Sequence, residues 1–239
     1  VSVSPDKFCG YTISLATDDP DVISDLANTS PKKLLARGEG LKAILSRSTH
    51  IRITSGRGTD ISFDWDPSRR KYLISAGYPH THDDRWNNLG GEVYTAPLHK
   101  TLNGKLVIDG AIGSMGLIKG TIVVGIKEGA GTLNRSESTA PQEQLDEFDG
   151  EINIYPCAKI VGEFGIGTTP GLKLRGELLN DEKVEGTIHI AFGDSYAADG
   201  SGGENDCDAH NDCMILAPTV EMTIDGEKCL LMENGIFKV

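Results

Sequence analysis

From His50 onward the apolar residues of this chain recur with a period of two, in short runs separated by glycine, asparagine and aspartate. That pattern constrains the fold to half-buried strands, because successive side chains of a strand point to opposite faces. Ile51 and Ile53, then Ile61, Phe63 and Trp65, flank Ser55-Gly-Arg-Gly-Thr59 and predict a hairpin. Further strands are expected at 91–96, 104–111, 120–126, 151–160, 186–192, 214–224 and 228–232. Asn103-Gly104 and Asp225-Gly226 read as hairpin turns. The 29 glycines in 239 residues fit tight hairpins and close backbone crossings.

The first fifty residues differ. Residues 9–15 alternate loosely as a strand, and 20–26 and 31–46 read as helices. The second helix carries Leu34, Leu35, Leu41, Ile44 and Leu45 at helical spacing and starts at Ser30-Pro31. Gly38 and Gly40 are places where it is expected to break in two. Short helices are also expected at 139–148 and 177–183. The fold class is α+β: a strand-rich mixed or antiparallel sheet, partly barrel-like, behind a short helical N-terminal segment. The division falls between a helical region at 1–50 and a strand-rich domain at 51–239.

Charge and cysteine usage narrow the function classes. Lys+Arg number 23 against 35 Asp+Glu, a net charge of −12 with no offsetting basic stripe. Such a field repels phosphate backbones, so nucleic acid is not the expected partner. The apolar runs are too short for a membrane helix, so no membrane partner is expected either. The five cysteines are an odd number without a Cys-x-x-Cys pair, so reduced thiols are expected. With no leader at its start, the chain reads as cytoplasmic.

Histidines are scarce, at six, so their positions carry information. His189 sits in the otherwise apolar Gly186-Thr-Ile-His-Ile-Ala-Phe-Gly193, and is either a core histidine bonded to a carbonyl or a ligand. His210 and Asp212 point to one side of an extended stretch, which suits either an ion or a polar loop. Glu92 follows Gly90-Gly91, and Glu163 lies among glycines and apolar residues in Val161-Gly-Glu-Phe-Gly-Ile-Gly-Thr168. A carboxylate buried in such a setting needs a partner charge or a metal; at a strand end it would simply face solvent. Together these are three carboxylates and two imidazoles, a donor set without thiolate that suits Zn, Co, Mn or Fe(II). Five ligands exceed the needs of one catalytic zinc and are enough for two ions sharing a carboxylate. Glu143, Asp146 and Glu147, by contrast, lie in polar runs and read as solvated surface. Asp194, Ser195 and Asp208 read as a solvated loop.

The order of several stretches carries a resemblance. They are Thr54-Ser-Gly-Arg-Gly-Thr-Asp60, Asn88-Leu-Gly-Gly-Glu-Val-Tyr-Thr-Ala-Pro97, Gly162-Glu-Phe-Gly-Ile-Gly-Thr168, Glu182-Lys-Val-Glu-Gly-Thr-Ile-His-Ile-Ala-Phe-Gly193, His210-Asn-Asp-Cys-Met214 and Pro218-Thr-Val-Glu221. Over roughly residues 7–239 the chain resembles the M29 metallo-aminopeptidases, the aminopeptidase T group. The resemblance implies two divalent ions held by Glu92, Glu163, His189, His210 and Asp212, with Tyr196 assisting catalysis. It implies an aminopeptidase acting on small peptides or aminoacyl compounds, a homo-oligomeric state, and a longer N-terminal α/β domain of which residues 1–50 are the tail. The chain is also similar to 2,5-dihydroxypyridine dioxygenases, in which His189, His210 and Asp212 would hold a single Fe(II); a non-catalytic, metal-stabilised binding subunit is the third reading.

Overall fold

The computed structural model describes residues 13–14, 29–77, 86–87 and 90–239. The expected helix at 20–26 and most of the expected strand at 9–15 lie outside the described residues.

In chain order, β1 (Ile13–Ser14) is followed by α1 (Pro31–Leu45), which begins at the proline the sequence marked. Proline suits this position because the first helical N–H has no intrahelical partner. The helix runs unbroken through Gly38 and Gly40, against the expected break. Gly38 is a packing contact instead: a Cβ there would lie 2.6 Å from the Ile74 side chain. Then come β2 (Ser48–Ser55), β3 (Asp60–Asp64), β4 (Leu73–Ser75), β5 (Trp86–Asn87), β6 (Glu92–Thr95), β7 (Asn103–Ile108), β8 (Ala111–Ile112) and β9 (Gly116–Leu117). β10 (Ile122–Lys127), β11 (Ala130–Leu133), α2 (Gln142–Asn153), β12 (Val161–Gly167), α3 (Leu178–Asp181) and β13 (Thr187–Gly193) follow. The chain ends with β14 (His210–Leu216), β15 (Pro218–Ile224), β16 (Glu227–Glu233) and β17 (Ile236–Phe237).

Two antiparallel sheets carry the fold, in the orders β11-β10-β7-β3-β2-β15-β16-β17 and β4-β6-β12-β13-β14-β8-β9. The strand-rich α+β class holds. Among the described residues both sheets keep free edges, so neither closes into a barrel. Their inner faces share one core, joined where Phe63 of β3 meets Phe164 of β12 edge to face at 5.3 Å. Each large apolar side chain buried there contributes roughly 1.5–3 kcal/mol. α2 adds its apolar face to the same core, where Phe148 meets Phe192 of β13 at 6.2 Å.

The hairpin at Ser55–Thr59 and the Asp225-Gly226 turn form as expected, the latter with both residues at positive φ. Four further expectations do not hold. Residues 151–160 are the end of α2 and a run of turns, because Ile152 belongs to the apolar face of that helix. Residues 214–224 form two strands in different sheets, the chain crossing between them at Ala217 with φ 45°. Asn103-Gly104 opens a strand rather than a turn. A Cβ on Gly104 would lie 2.1 Å from the Asp60 carbonyl oxygen, so its glycine serves a close strand approach. Finally, Cys157 and Cys207 form a disulfide, correcting the reduced-thiol expectation for these two residues. Residues 155–160 and the 194–209 loop are brought together by Asn205, whose side-chain amide donates to the Cys157 and Gly193 carbonyls. Cys213 and Cys229 are free thiols.

Candidate metal centre

Four adjacent strands, β6, β12, β13 and β14, each present polar groups on the sheet face away from the shared core. Alternation does the sorting: Val93, Phe164, Ile166, Ile188, Ile190, Cys213 and Ile215 enter the core, and Glu92, Glu163, His189 and Asp212 point the other way. All four of the latter are nonetheless buried. A β-bulge between Val161 and Glu163 sets the register so that Glu163 pairs with Ala191, which in turn pairs with Asp212. Glu163 and Asp212 thus flank a small residue and face each other across it.

Glycine makes the floor on which these side chains lie. Gly165 pairs with His189, and a Cβ on it would fall 2.0 Å from His189 Nε2. The imidazole occupies the space that a side chain at 165 would take. Gly167 pairs with Glu92, and a Cβ there would meet the Val184 carbonyl oxygen at 2.0 Å, so the 183–184 backbone passes directly over it. That crossing brings Lys183, missed from the sequence, into the centre.

His189 Nε2 lies 3.0 Å from Glu92 Oε1 and 3.1 Å from Glu163 Oε1. His210 Nε2 lies 3.7 Å from Glu163 Oε2 and 3.4 Å from Asp212 Oδ1, and the same Asp212 oxygen is 3.9 Å from His189 Nε2. The two oxygens of Glu163 therefore face different imidazoles. One ligand atom each from Glu92, Glu163 and His189 lies within 4.8 Å of the others. His210 donates through Nδ1 to the Asp194 carbonyl at 2.9 Å, which turns Nε2 inward as the nitrogen that can give a lone pair once its proton leaves. Lys183 donates to Glu92 Oε2 and to Glu182 Oε1.

Tyr196 also reaches the centre. It adopts a left-handed backbone, φ 49° and ψ 42°, and its ring lies 4.4 Å from that of His210. A non-glycine residue held there marks a turn fixed by its surroundings. The Asp194 carboxylate accepts the Tyr196 N–H at 3.1 Å, so one residue steadies both Tyr196 and His210. Ser195 is not solvated as expected: it is buried and exchanges hydrogen bonds with the Asn205 backbone. Asp208, Glu143, Asp146 and Glu147 are exposed.

The electrostatics show what the centre lacks. Burial pushes the Glu163 carboxyl up to about 7, the His189 hydrogen bond opposing, with the Asp212 and Glu92 charges adding to the rise. Burial likewise lifts Glu182 to about 7, in spite of Lys183 beside it. Burial also opposes ionisation of Glu92 and Asp212, but cations win there. Lys183 and His189 hold Glu92 below its ordinary value, and His210, His189 and Lys183 hold Asp212 down to about 2. His210 rises to about 9 because Asp212 and Glu163 outweigh its burial. Burial, then the neighbouring carboxylates, push the Tyr196 phenol far up.

Four buried carboxylates thus face a single lysine and two imidazoles. Two buried oxygens, Glu163 Oε2 and Asp212 Oδ1, have no hydrogen-bond partner, although buried polar atoms are rarely left alone. Both lie beside imidazole Nε2 atoms, and the donor set is all oxygen and nitrogen. On these observations the residues fit divalent cations. The site is in this respect a carboxylate–imidazole centre with the donor set of a metalloprotein.

A narrower placement follows from comparison. The chain belongs to the thermophilic metalloprotease (M29) family, whose model matches residues 28–237. Among solved structures, 2,5-dihydroxypyridine dioxygenase from Pseudomonas putida KT2440 shares the fold with TM-score 0.69 and 18% identity, covering 92% of this chain and 62% of that one. Wild-type AmpT from Thermus thermophilus does so with TM-score 0.65 and 21% identity, covering 87% of this chain and 55% of that one. The chain therefore spans under two thirds of the length of both. No curated protein sequence matches it. Among the described residues no helix is long and apolar enough to cross a membrane.

Proposed function

We propose that the chain is a metal-dependent aminopeptidase that removes N-terminal residues from small peptides. The observation that carries this reading is the split orientation of Glu163, one oxygen toward His189 and the other toward His210. Glu92, Glu163 and His189 would hold one ion, and Glu163, His210 and Asp212 a second, with Zn, Co or Mn suited to the donors. Ions bound there supply Lewis-acid polarisation of the scissile carbonyl and an activated water.

The chain's own residues supply the rest. Glu163, with an oxygen toward each imidazole, would be the carboxylate shared by both sets or the one that transfers the proton. Tyr196 keeps its proton at neutral pH, because its phenol is pushed far up, and is suited to donate to the developing oxyanion rather than to act as a base. Asp194 holds the His210 ring and the Tyr196 backbone in place through its two kinds of oxygen. The excess of carboxylates in the centre also favours the free α-ammonium of a peptide substrate. Assembly into a homo-oligomer belongs to the same reading. So does a cytoplasmic site, which requires the Cys157–Cys207 bond to persist there; cytosolic disulfides are rare outside hyperthermophiles.

Chelation tests the reading. Exhaustive metal removal should abolish hydrolysis of aminoacyl-arylamides, and Co, Zn or Mn should restore it. Activity that survives with no metal bound overturns the proposal. The dioxygenase fold match and the approach of Asp212 Oδ1 to both imidazoles favour a second reading, one Fe(II) on His189, His210 and Asp212. Iron-dependent oxygen uptake without peptide hydrolysis would establish it.

A further inference from the structure

We propose that Lys183 makes the two halves of the centre unequal: its ammonium, fixed between Glu92 and Glu182, weakens divalent-ion binding by Glu92, Glu163 and His189 relative to Glu163, His210 and Asp212. The inference rests on the two-ion reading and deepens it.

Lys183 is 1% exposed, a burial that lysine tolerates only when paired. Its position is built in from the backbone. The Lys183 N–H donates to Asn180, its carbonyl accepts the Thr169 N–H at 2.9 Å, and the segment crosses the bare Cα of Gly167. The ammonium is therefore a fixture of the fold rather than a swinging surface charge. It occupies Glu92 Oε2, so an ion approaching this carboxylate meets a cation already bound to it.

The other half has no ammonium bonded to it; Lys183 reaches Asp212 only through its longer-range charge. Glu163 Oε2 and Asp212 Oδ1 receive no hydrogen bond, and His210 is held from behind by a neutral carbonyl. Glu182 offsets part of the lysine charge on the first half. The half beside Lys183 is accordingly the exchangeable one, and its affinity is set by the balance of Lys183 against Glu182.

Titration of metal-free protein with Zn or Mn, followed by calorimetry, tests this. Wild type should bind two equivalents of distinct affinity. Lys183→Met should tighten the weaker equivalent by about tenfold or more, since a buried unit charge this close acts strongly even at an effective dielectric near 20. Glu182→Gln should loosen the same equivalent by a similar factor. The tighter equivalent should shift in the same direction but clearly less in either variant, because Lys183 acts on Asp212 only at longer range.

A merely structural role would loosen binding in both variants, so opposite signs distinguish a charge effect. If the methionine variant does not fold, Glu182→Asp and Glu182→Gln decide. The charge account predicts near wild-type affinity for Glu182→Asp, and a packing account predicts losses as large as for Glu182→Gln. Weaker binding in Lys183→Met, or equal shifts of both equivalents, overturns the inference while leaving two ions in place. A wild type that binds one equivalent overturns the two-ion reading itself.

Discussion

Gly165→Ala should disable metal binding without reaching any proposed ligand chemically. The added Cβ would stand 2.0 Å from His189 Nε2 and 2.2 Å from Cε1. Ordinary contact begins near 3.4 Å, so the ring tip must retreat by about 1.4 Å. Nε2 now sits 3.0 and 3.1 Å from oxygens of Glu92 and Glu163. A bond of about 2.0–2.1 Å from imidazole to metal cannot stretch to absorb such a shift. His189 is therefore lost as a ligand, and affinity should fall by at least about a hundredfold, the upper end of what displaced supporting residues cause. Overpacking adds a stability loss of about 1–3 kcal/mol. Metal titration and thermal melts of metal-free protein measure the two effects separately. Gly150→Ala is the control, since nothing lies within 4 Å of its added Cβ; it should bind metal normally. Wild-type metal affinity in Gly165→Ala would refute the reasoning, because it would show that His189 need not lie across β12.

Other consequences can be checked independently. Tyr196→Phe should lower kcat by about 10²-fold or more with little change in KM or metal content, the usual cost of losing one oxyanion donor; steady-state kinetics on metal-loaded protein decide. Metal uptake should release protons at pH 7 and strengthen as pH rises toward 9. Glu163 near 7 and His210 near 9 lie on or above neutral pH, and protons on both compete with the ion. Calorimetry in buffers of different ionisation enthalpy reads this directly, and uptake without proton release would contradict it. Reducing Cys157–Cys207, which closes a 50-residue separation, should cost up to about 4 kcal/mol of stability. It should also expose the 194–209 loop to proteases and lower kcat through Tyr196. Unchanged melting and proteolysis after verified reduction would show that the loop is held by its hydrogen bonds alone.

Much of the fold was readable because alternation survives wherever a strand has one buried face, as in β2, β3 and β15. It failed where function or topology overrode propensity. β12 carries three glycines in seven residues and does not look like a strand. Gly162 meets the Asp194 carbonyl oxygen, while Gly165 and Gly167 make room for His189 and the 183–184 backbone. The composition that hides the strand is what the centre needs. The end of α2 imitated a strand because Ile152 and Ile154 sit two apart, although the first is buried in the helix and the second is exposed.

The site was legible to a different depth. Glu92, Glu163, His189, His210 and Asp212 stood out as polar residues in apolar or glycine-rich settings, and the structure brings all five together with Tyr196 beside them. Lys183 gave no such sign, because its meaning depends on Glu92, 91 positions away. The signal available was its place beside Glu182, four residues before a buried strand. The disulfide was equally hidden, since an odd cysteine count says nothing about a loop that folds back over residues 155–160.

The account turns on whether these five side chains hold metal as two sharing sets. An anomalous-scattering map of metal-loaded crystals, recorded at several absorption edges, tests it most directly. The prediction is two peaks, one among Glu92, Glu163 and His189 and one among Glu163, His210 and Asp212. A single iron peak on His189, His210 and Asp212, with nothing at Glu92, would contradict it.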